Sequence, residues 1–176
     1  MIRLFLAITP PPPVRKDLTK EITHLKKQIP RGQINWVKPE NLHITLIFLG
    51  WVKEGQEKIV KRESAEALKE AKRFGVTVEE LSYRGHPLWL EVSQGKQELV
   101  SLQRKILLHL SFKGPQDLRP FHPHLTLGRI KKRGKSKLNT NQKRFSWEVQ
   151  EVILYQSQLK RTGSAYKALA TFPLKG

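Results

Sequence analysis

The chain has no cysteine among its 176 residues. Disulfides, thiolate metal sites and a cysteine nucleophile are therefore excluded. Acidic side chains are scarce: 15 Asp and Glu stand against 33 Lys and Arg, a formal charge of +18. Long apolar runs are missing too. The opening "IRLFLAI" is too short to span a bilayer, and it lacks the basic flank and cleavage site of a secretory leader. Those absences predict a cytoplasmic protein without membrane contact. No G-x-S-x-G elbow, Walker A loop or G-x-G-x-x-G turn occurs, so the usual serine hydrolase, P-loop and dinucleotide signatures are absent. No Gly/Ser-rich linker cuts the chain, which predicts one unit over residues 1–176.

What is present is a globular composition with a strongly basic surface. Hydrophobic residues make up 38%, too many for a disordered chain. The positive excess suits a polyanionic partner, because cations that bind phosphates release condensed counterions. RNA, DNA and acidic membranes all meet that description, and so does a basic protein with no special partner. High net charge also favours a monomer.

Periodicity orders the chain as strand, helix, strand, helix, strands, helix, strands. Val14, Leu18, Ile22, Leu25 and Ile29 have helical spacing, with a basic outer face. A second helical pattern runs from about Glu54 to Phe74, with Ile59, Val60, Ala67, Leu68 and Ala71 as its buried stripe. A third follows Leu99, Leu102, Ile106 and Leu110. "GVTVEELSYRG", "PLWLEVS", "SWEVQEVILYQSQL" and "AYKALATFPL" read as strands. The class is α+β with mostly antiparallel sheets. "RIKKRGKSK", from Arg129 to Lys137, packs six cations into nine residues and reads as a surface loop that can also hold an RNA backbone.

One polar pattern occurs twice on apolar strands. "NLHITLIFLG" contains His43-Ile44-Thr45-Leu46, and "FHPHLTLGRI" contains His124-Leu125-Thr126-Leu127. Side chains alternate faces along a strand, so His and Thr share one face of each motif while the aliphatics anchor the other. A single H-x-T-L is most simply a packed histidine. Two copies, one in each half, point to a site. If the strands meet across a pseudo-two-fold cleft, two imidazoles and two hydroxyls converge. That set suits attack on a cyclic phosphodiester, which needs a base for water and an acid for the leaving ribose oxygen. Histidine serves as either near neutral pH. Threonine hydroxyls can donate to the non-bridging oxygens. A zinc site would need three or four ligands and is poorly served by two histidines without cysteine.

At these residues the chain resembles the 2H phosphoesterase superfamily, which is defined by two H-x-[ST]-x motifs. Within it, the chain is most similar to the bacterial and archaeal RNA 2′,3′-cyclic phosphodiesterase family, historically called 2′-5′ RNA ligase or LigT-like. "FLAI" followed by prolines, "WVKPENLHITLIFLG", "FHPHLTLGRI" and "VILYQSQLKRTGSAYKALATFPL" all carry the likeness, which covers essentially the whole chain. The resemblance implies a bilobal fold, with two mostly antiparallel sheets facing a central cleft and helices outside. It implies an enzyme, an RNA 2′,3′-cyclic 3′-phosphodiesterase, that hydrolyses the cyclic phosphate to a 2′-phosphate without metal or other cofactor. It makes His43 the proton donor and His124 the proton acceptor, with Thr45, Thr126 and Arg129 as phosphate-binding residues. From sequence alone the two histidines are interchangeable, and the resemblance also implies reversible 2′-5′ RNA ligation as a second activity.

Arg129 poses a question of geometry. Strict alternation points it away from His124, and a bulge permitted by Gly128 would turn it inward. Phe5, Trp36, Tyr155 and Tyr166 are candidates to stack a base, although core packing is the simpler reading of each. Ser157 and Tyr166 are candidates to line the cleft, and Asn41 and Pro123 to support the motif strands. His122 can share the face of His124, but a structural or solvent role is the simpler one; His24 lies off the apolar stripe of its helix and is expected at the surface, and His86 and His109 have no partner motif. The partner implied is RNA ending in a 2′,3′-cyclic phosphate, a tRNA fragment among the options. Two other readings stay open: a phosphodiesterase for a small cyclic nucleotide such as an ADP-ribose cyclic phosphate, and a non-catalytic RNA-binding protein.

Overall fold

The computed structural model describes residues 1–83, 86–111, 120–131, 143–160 and 163–176. Strand β1 (Ile2–Ile8) leads into helix α1 (Pro12–Lys27), then β2 (Ile34–Trp36), a single 3₁₀ turn (Pro39–Asn41) and β3 (Ile44–Val52). Helix α2 (Glu57–Leu68), strands β4 (Phe74–Tyr83) and β5 (Pro87–Gln94), and helix α3 (Lys96–His109) follow. Strands β6 (His124–Ile130), β7 (Phe145–Val149), β8 (Glu151–Lys160) and β9 (Gly163–Pro173) complete the chain.

The run of prolines both ends β1 and starts α1. Pro12 and Pro13 occupy the first helical turn, where a missing N–H costs nothing. His24, Lys26 and Lys27 fall in the last turn and complement the helix dipole. The buried face carries Leu18, Ile22 and Leu25 as the spacing predicts, and also Glu21, whose carboxylate lies 3.1 Å from Lys143 Nζ. Helix α2 is shorter than its periodicity suggests. After Leu68 the chain leaves the helix to bond with the C-terminus, through Arg73 N–H to the Lys175 carbonyl and Lys175 N–H to that of Ala71. The buried stripe is Val60, Ser64, Ala67 and Leu68, which leaves Ile59 one position outside it and exposed.

All the strands described belong to one antiparallel sheet in the order β7-β4-β5-β6-β3-β1-β8-β9, with β2 paired to β6. The two expected sheets are thus two halves of one. They are joined between β3 and β6 by the pair Ile44↔Leu125. "SWEVQEVILYQSQL", read as one stretch, splits at Gln150 into β7 and β8. These lie on opposite sides of the junction, and a single residue between them can span only a few ångströms. The sheet must therefore curl. Leu4, Leu6 and Ile8 point to the helix-covered side and are essentially fully buried, as are Ile44, Leu125 and Leu127.

Two of the strands, β3 and β6, break alternation at the motifs. In β3 the register with β1 passes from Ala7↔Thr45 to Leu6↔Ile47, then from Phe5↔Phe48 to Leu4↔Gly50. Leu46 and Leu49 are the extra residues, and both are buried. Thr45, Phe48 and Trp51 therefore emerge on one face at intervals of three. In β6 the register with β5 passes from Trp89↔Thr126 to Leu88↔Gly128, with Leu127 extra. The leucine after each motif threonine is a bulge in both halves.

Candidate active site

The junction pair builds the site. Ile44 follows His43 and Leu125 follows His124, so pairing the two aliphatics brings the two motifs side by side. In an antiparallel pair the flanking residues oppose each other, His43 across from Thr126 and Thr45 across from His124. Ile44 and Leu125 turn into the core, so the four polar side chains share the opposite face. A local two-fold relation through the junction follows from the sequence repeat together with this antiparallel pairing.

Both imidazoles are held the same way. His43 Nδ1 lies 2.6 Å from the Asn41 carbonyl, and His124 Nδ1 lies 2.7 Å from the His122 carbonyl. A carbonyl can only accept, so Nδ1 carries the proton and Nε2 of each ring is left to face the site. His43 Nε2 is 3.0 Å from Thr45 Oγ1. Asn41 is itself fixed by a 2.7 Å bond from its side-chain N–H to the Ser164 carbonyl. Burial lowers the pKa of His43; the bond to Asn41 opposes that, and the neighbouring charge of His124 adds to it.

The surroundings of the two rings differ. Phe5 and Tyr166 pack on His43, at 5.1 and 5.4 Å between ring centres, and Tyr155 stacks on Phe5 at 5.3 Å. Phe5 is buried, whereas Tyr155 and Tyr166 are half-exposed. Burial raises the pKa of the Tyr166 hydroxyl, while its bond with Ser164 and the charges of Arg3 and Arg129 pull it down. Ser157 pairs with Tyr166 in the β8–β9 ladder. On the other side Trp89 lies 5.4 Å from His124, and His122 stacks on His124 at 6.0 Å. The Glu91 carboxylate accepts from Trp89 Nε1 at 2.8 Å and sits 3.1 Å from His122 Nε2. His122 is thus tied to the His124 side by an acid that the sequence reading passed over. Trp89 and Glu91, two residues apart on one strand, were the available signal.

Arg129 is exposed, and the Leu127 bulge brings it to the face of Thr126, three residues on, as Phe48 stands three residues after Thr45. The need for glycine at position 128 is steric: a Cβ there would lie 2.7 Å from Ile34 Cγ2 and 3.1 Å from the Asn35 carbonyl of β2. Pro123 is buried beside the motif, and Trp36 is half-buried against the core. His86 and His109 bond to the carbonyls of Ile130 and Lys105, and His24 is half-buried on α1. Most of the basic stretch, residues 132–137, lies outside the described residues. Among the described residues no group of three or more His, Asp or Glu could hold a metal ion, and no helix is long and apolar enough to cross a membrane.

Known proteins are similar to this chain across nearly its whole length. The RNA 2′,3′-cyclic phosphodiesterase of Aquifex aeolicus is 29% identical over 175 residues, covering 92% of this chain and 93% of its own. That of Archaeoglobus fulgidus is 30% identical and covers 97% and 99%. The crystal structure of E. coli LigT complexed with 3′-AMP superposes with a TM-score of 0.84 at 28% identity, covering 99% of each chain. The model of the 2′-5′ RNA ligase superfamily matches residues 10–161, and the chain belongs to that superfamily.

Proposed function

We propose that this chain is an RNA 2′,3′-cyclic phosphodiesterase that works by two-histidine acid–base chemistry without a metal. The observation that carries the reading is the Ile44↔Leu125 junction, which sets two His/Thr pairs across one another with both Nε2 atoms free of backbone. Water attacks phosphorus as His124 Nε2 takes its proton. The bond from phosphorus to O3′ breaks, and His43 delivers a proton to that oxygen, leaving a 2′-phosphate. Thr45 and Thr126 donate to the non-bridging oxygens, and the Arg129 guanidinium pairs with one of them. The lowered pKa of His43 fits a donor that is charged by its substrate. A phosphate anion beside a partly desolvated imidazole favours the protonated form. With a 5′-hydroxyl in place of water, His124 takes the proton of that hydroxyl, the bond from phosphorus to O3′ breaks with a proton from His43, and the product is a 2′-5′ linkage. Its reversal regenerates the cyclic end and the 5′-hydroxyl. The relatives named above are called by this activity, and E. coli LigT binds 3′-AMP. RNA ends are the substrate in this reading, tRNA fragments among them, for a monomeric, bilobal enzyme of the cytoplasm.

The test is conversion of an oligoribonucleotide 2′,3′-cyclic phosphate to its 2′-phosphate in EDTA. Each of His43→Ala and His124→Ala should lower kcat by roughly 10²–10⁴-fold. Activity lost in EDTA defeats the metal-free mechanism, and an unchanged rate in both variants defeats the proposal.

A further inference from the structure

The face that carries His43 does not end at the site. The two bulges of β3 bring Thr45, Phe48 and Trp51 to one surface, and β1 adds Arg3, which pairs directly with Trp51. Phe48 and Trp51 are large aromatic side chains left 41% and 56% exposed. The Arg3 guanidinium lies over the Phe48 ring, 4.6 Å from its centre. At about 3.3 Å per residue, Phe48 and Trp51 stand one and two steps of about 10 Å beyond Thr45. An exposed tryptophan and phenylalanine on a sheet face need an occupant, and the cation between them selects one. Aromatic faces interleaved with a guanidinium suit unpaired nucleotides, whose bases stack and whose phosphates pair with arginine. The charge of +18 disfavours a basic partner and favours an anionic one.

We propose that Arg3, Phe48 and Trp51 form a strip that binds the single-stranded RNA adjoining the reacting end. The inference rests on the phosphodiesterase reading for its direction. A 2′,3′-cyclic phosphate closes the last ribose, so the remaining nucleotides lie on its 5′ side and run from the His43–Thr45 pair along β3. The strip makes the substrate an oligonucleotide rather than a mononucleotide. Continuity with the site is provided by Phe5, which pairs with Phe48 and packs on His43. Trp51 and Phe48 are legible in the sequence only after the bulges are known, because simple alternation puts residues 45, 48 and 51 on alternating faces.

The experiment compares adenosine 2′,3′-cyclic phosphate with a tetranucleotide ending in the same group. It also measures binding of a labelled, unreactive tetranucleotide ending in a 2′-phosphate, by fluorescence anisotropy. The wild type should prefer the tetranucleotide in kcat/KM. Trp51→Ala should cut that preference, and the anisotropy affinity, on the order of tenfold, with Trp51→Phe restoring most of both. Arg3→Gln should reduce affinity and flatten its salt dependence. A wild type without length preference, or a Trp51→Ala protein matching it in both assays, overturns the strip. If neither substrate is hydrolysed, the phosphodiesterase reading fails while the anisotropy comparison still decides whether the strip binds RNA.

Discussion

His43 and His124 are held by one device, a bond from Nδ1 to the carbonyl two residues earlier, yet they sit in different environments. His43 is covered by Phe5 and Tyr166, while His124 is flanked by Trp89 and the His122–Glu91 pair. Burial keeps the pKa of His43 below its ordinary value near 6.5, with the bond to Asn41 opposing and His124 reinforcing. An unfolded chain would protonate this residue near ~6.5, so between that pH and the lower folded value the unfolded state binds more protons. Stability from His43 is therefore present above ~6.5 and declines as pH falls toward the folded value. NMR titration of the His43 ring should give a midpoint below that of a free histidine, and saturating inorganic phosphate should raise it. A midpoint unmoved by phosphate would remove His43 from the anion site. The two H-x-T pairs were legible because polar residues on otherwise apolar strands stand out. Glu91 was legible only in part: its spacing from Trp89 lies in the sequence, but His122 reaches it only once β5 and β6 are paired.

Elements explain why the motifs project as they do. The leucine after each motif threonine is squeezed out of register, and the strand beyond it resumes with its faces exchanged. Gly128 hinted at the bulge in β6, since β2 passes too close for a side chain there. No residue marked the bulge at Leu46, and β3 was therefore read as plain alternation. The split at Gln150 was invisible for a similar reason: local pattern reports which residues are apolar, not which strand each will pair with. Gly128→Ala should destabilise the fold by about 1–3 kcal/mol, the usual cost of overpacking. Urea denaturation measures it, and adding Ile34→Val, which keeps Cγ2, should relieve it less than Ile34→Ala. Equal stability of Gly128→Ala and wild type would mean that β2 yields freely, and that the close approach does not constrain β6.

For the whole molecule, charge and shape act together. The curl brings β7 and β8 within one residue of each other around the junction, so both halves present their motif faces to the same space. A net charge of +18 surrounds that space with a positive field. Buried Glu21 and half-buried Glu79 are matched locally, by Lys143 and Arg144, so they subtract little from that field. Association with an anionic strand should then be driven largely by counterion release. For single-stranded RNA the logarithm of affinity should fall with the logarithm of salt concentration by about 0.7 per phosphate contacted. Measured on RNAs of increasing length with the same cyclic end, KM should rise with salt while kcat stays constant, because screening weakens binding before it disturbs proton transfer within the site. The slope should steepen with each added nucleotide until the strip of Arg3, Phe48 and Trp51 is filled, and then level off. A slope that is shallow and independent of length would mean that only the terminal phosphate is bound, and the surplus of cations would then serve solubility rather than recognition.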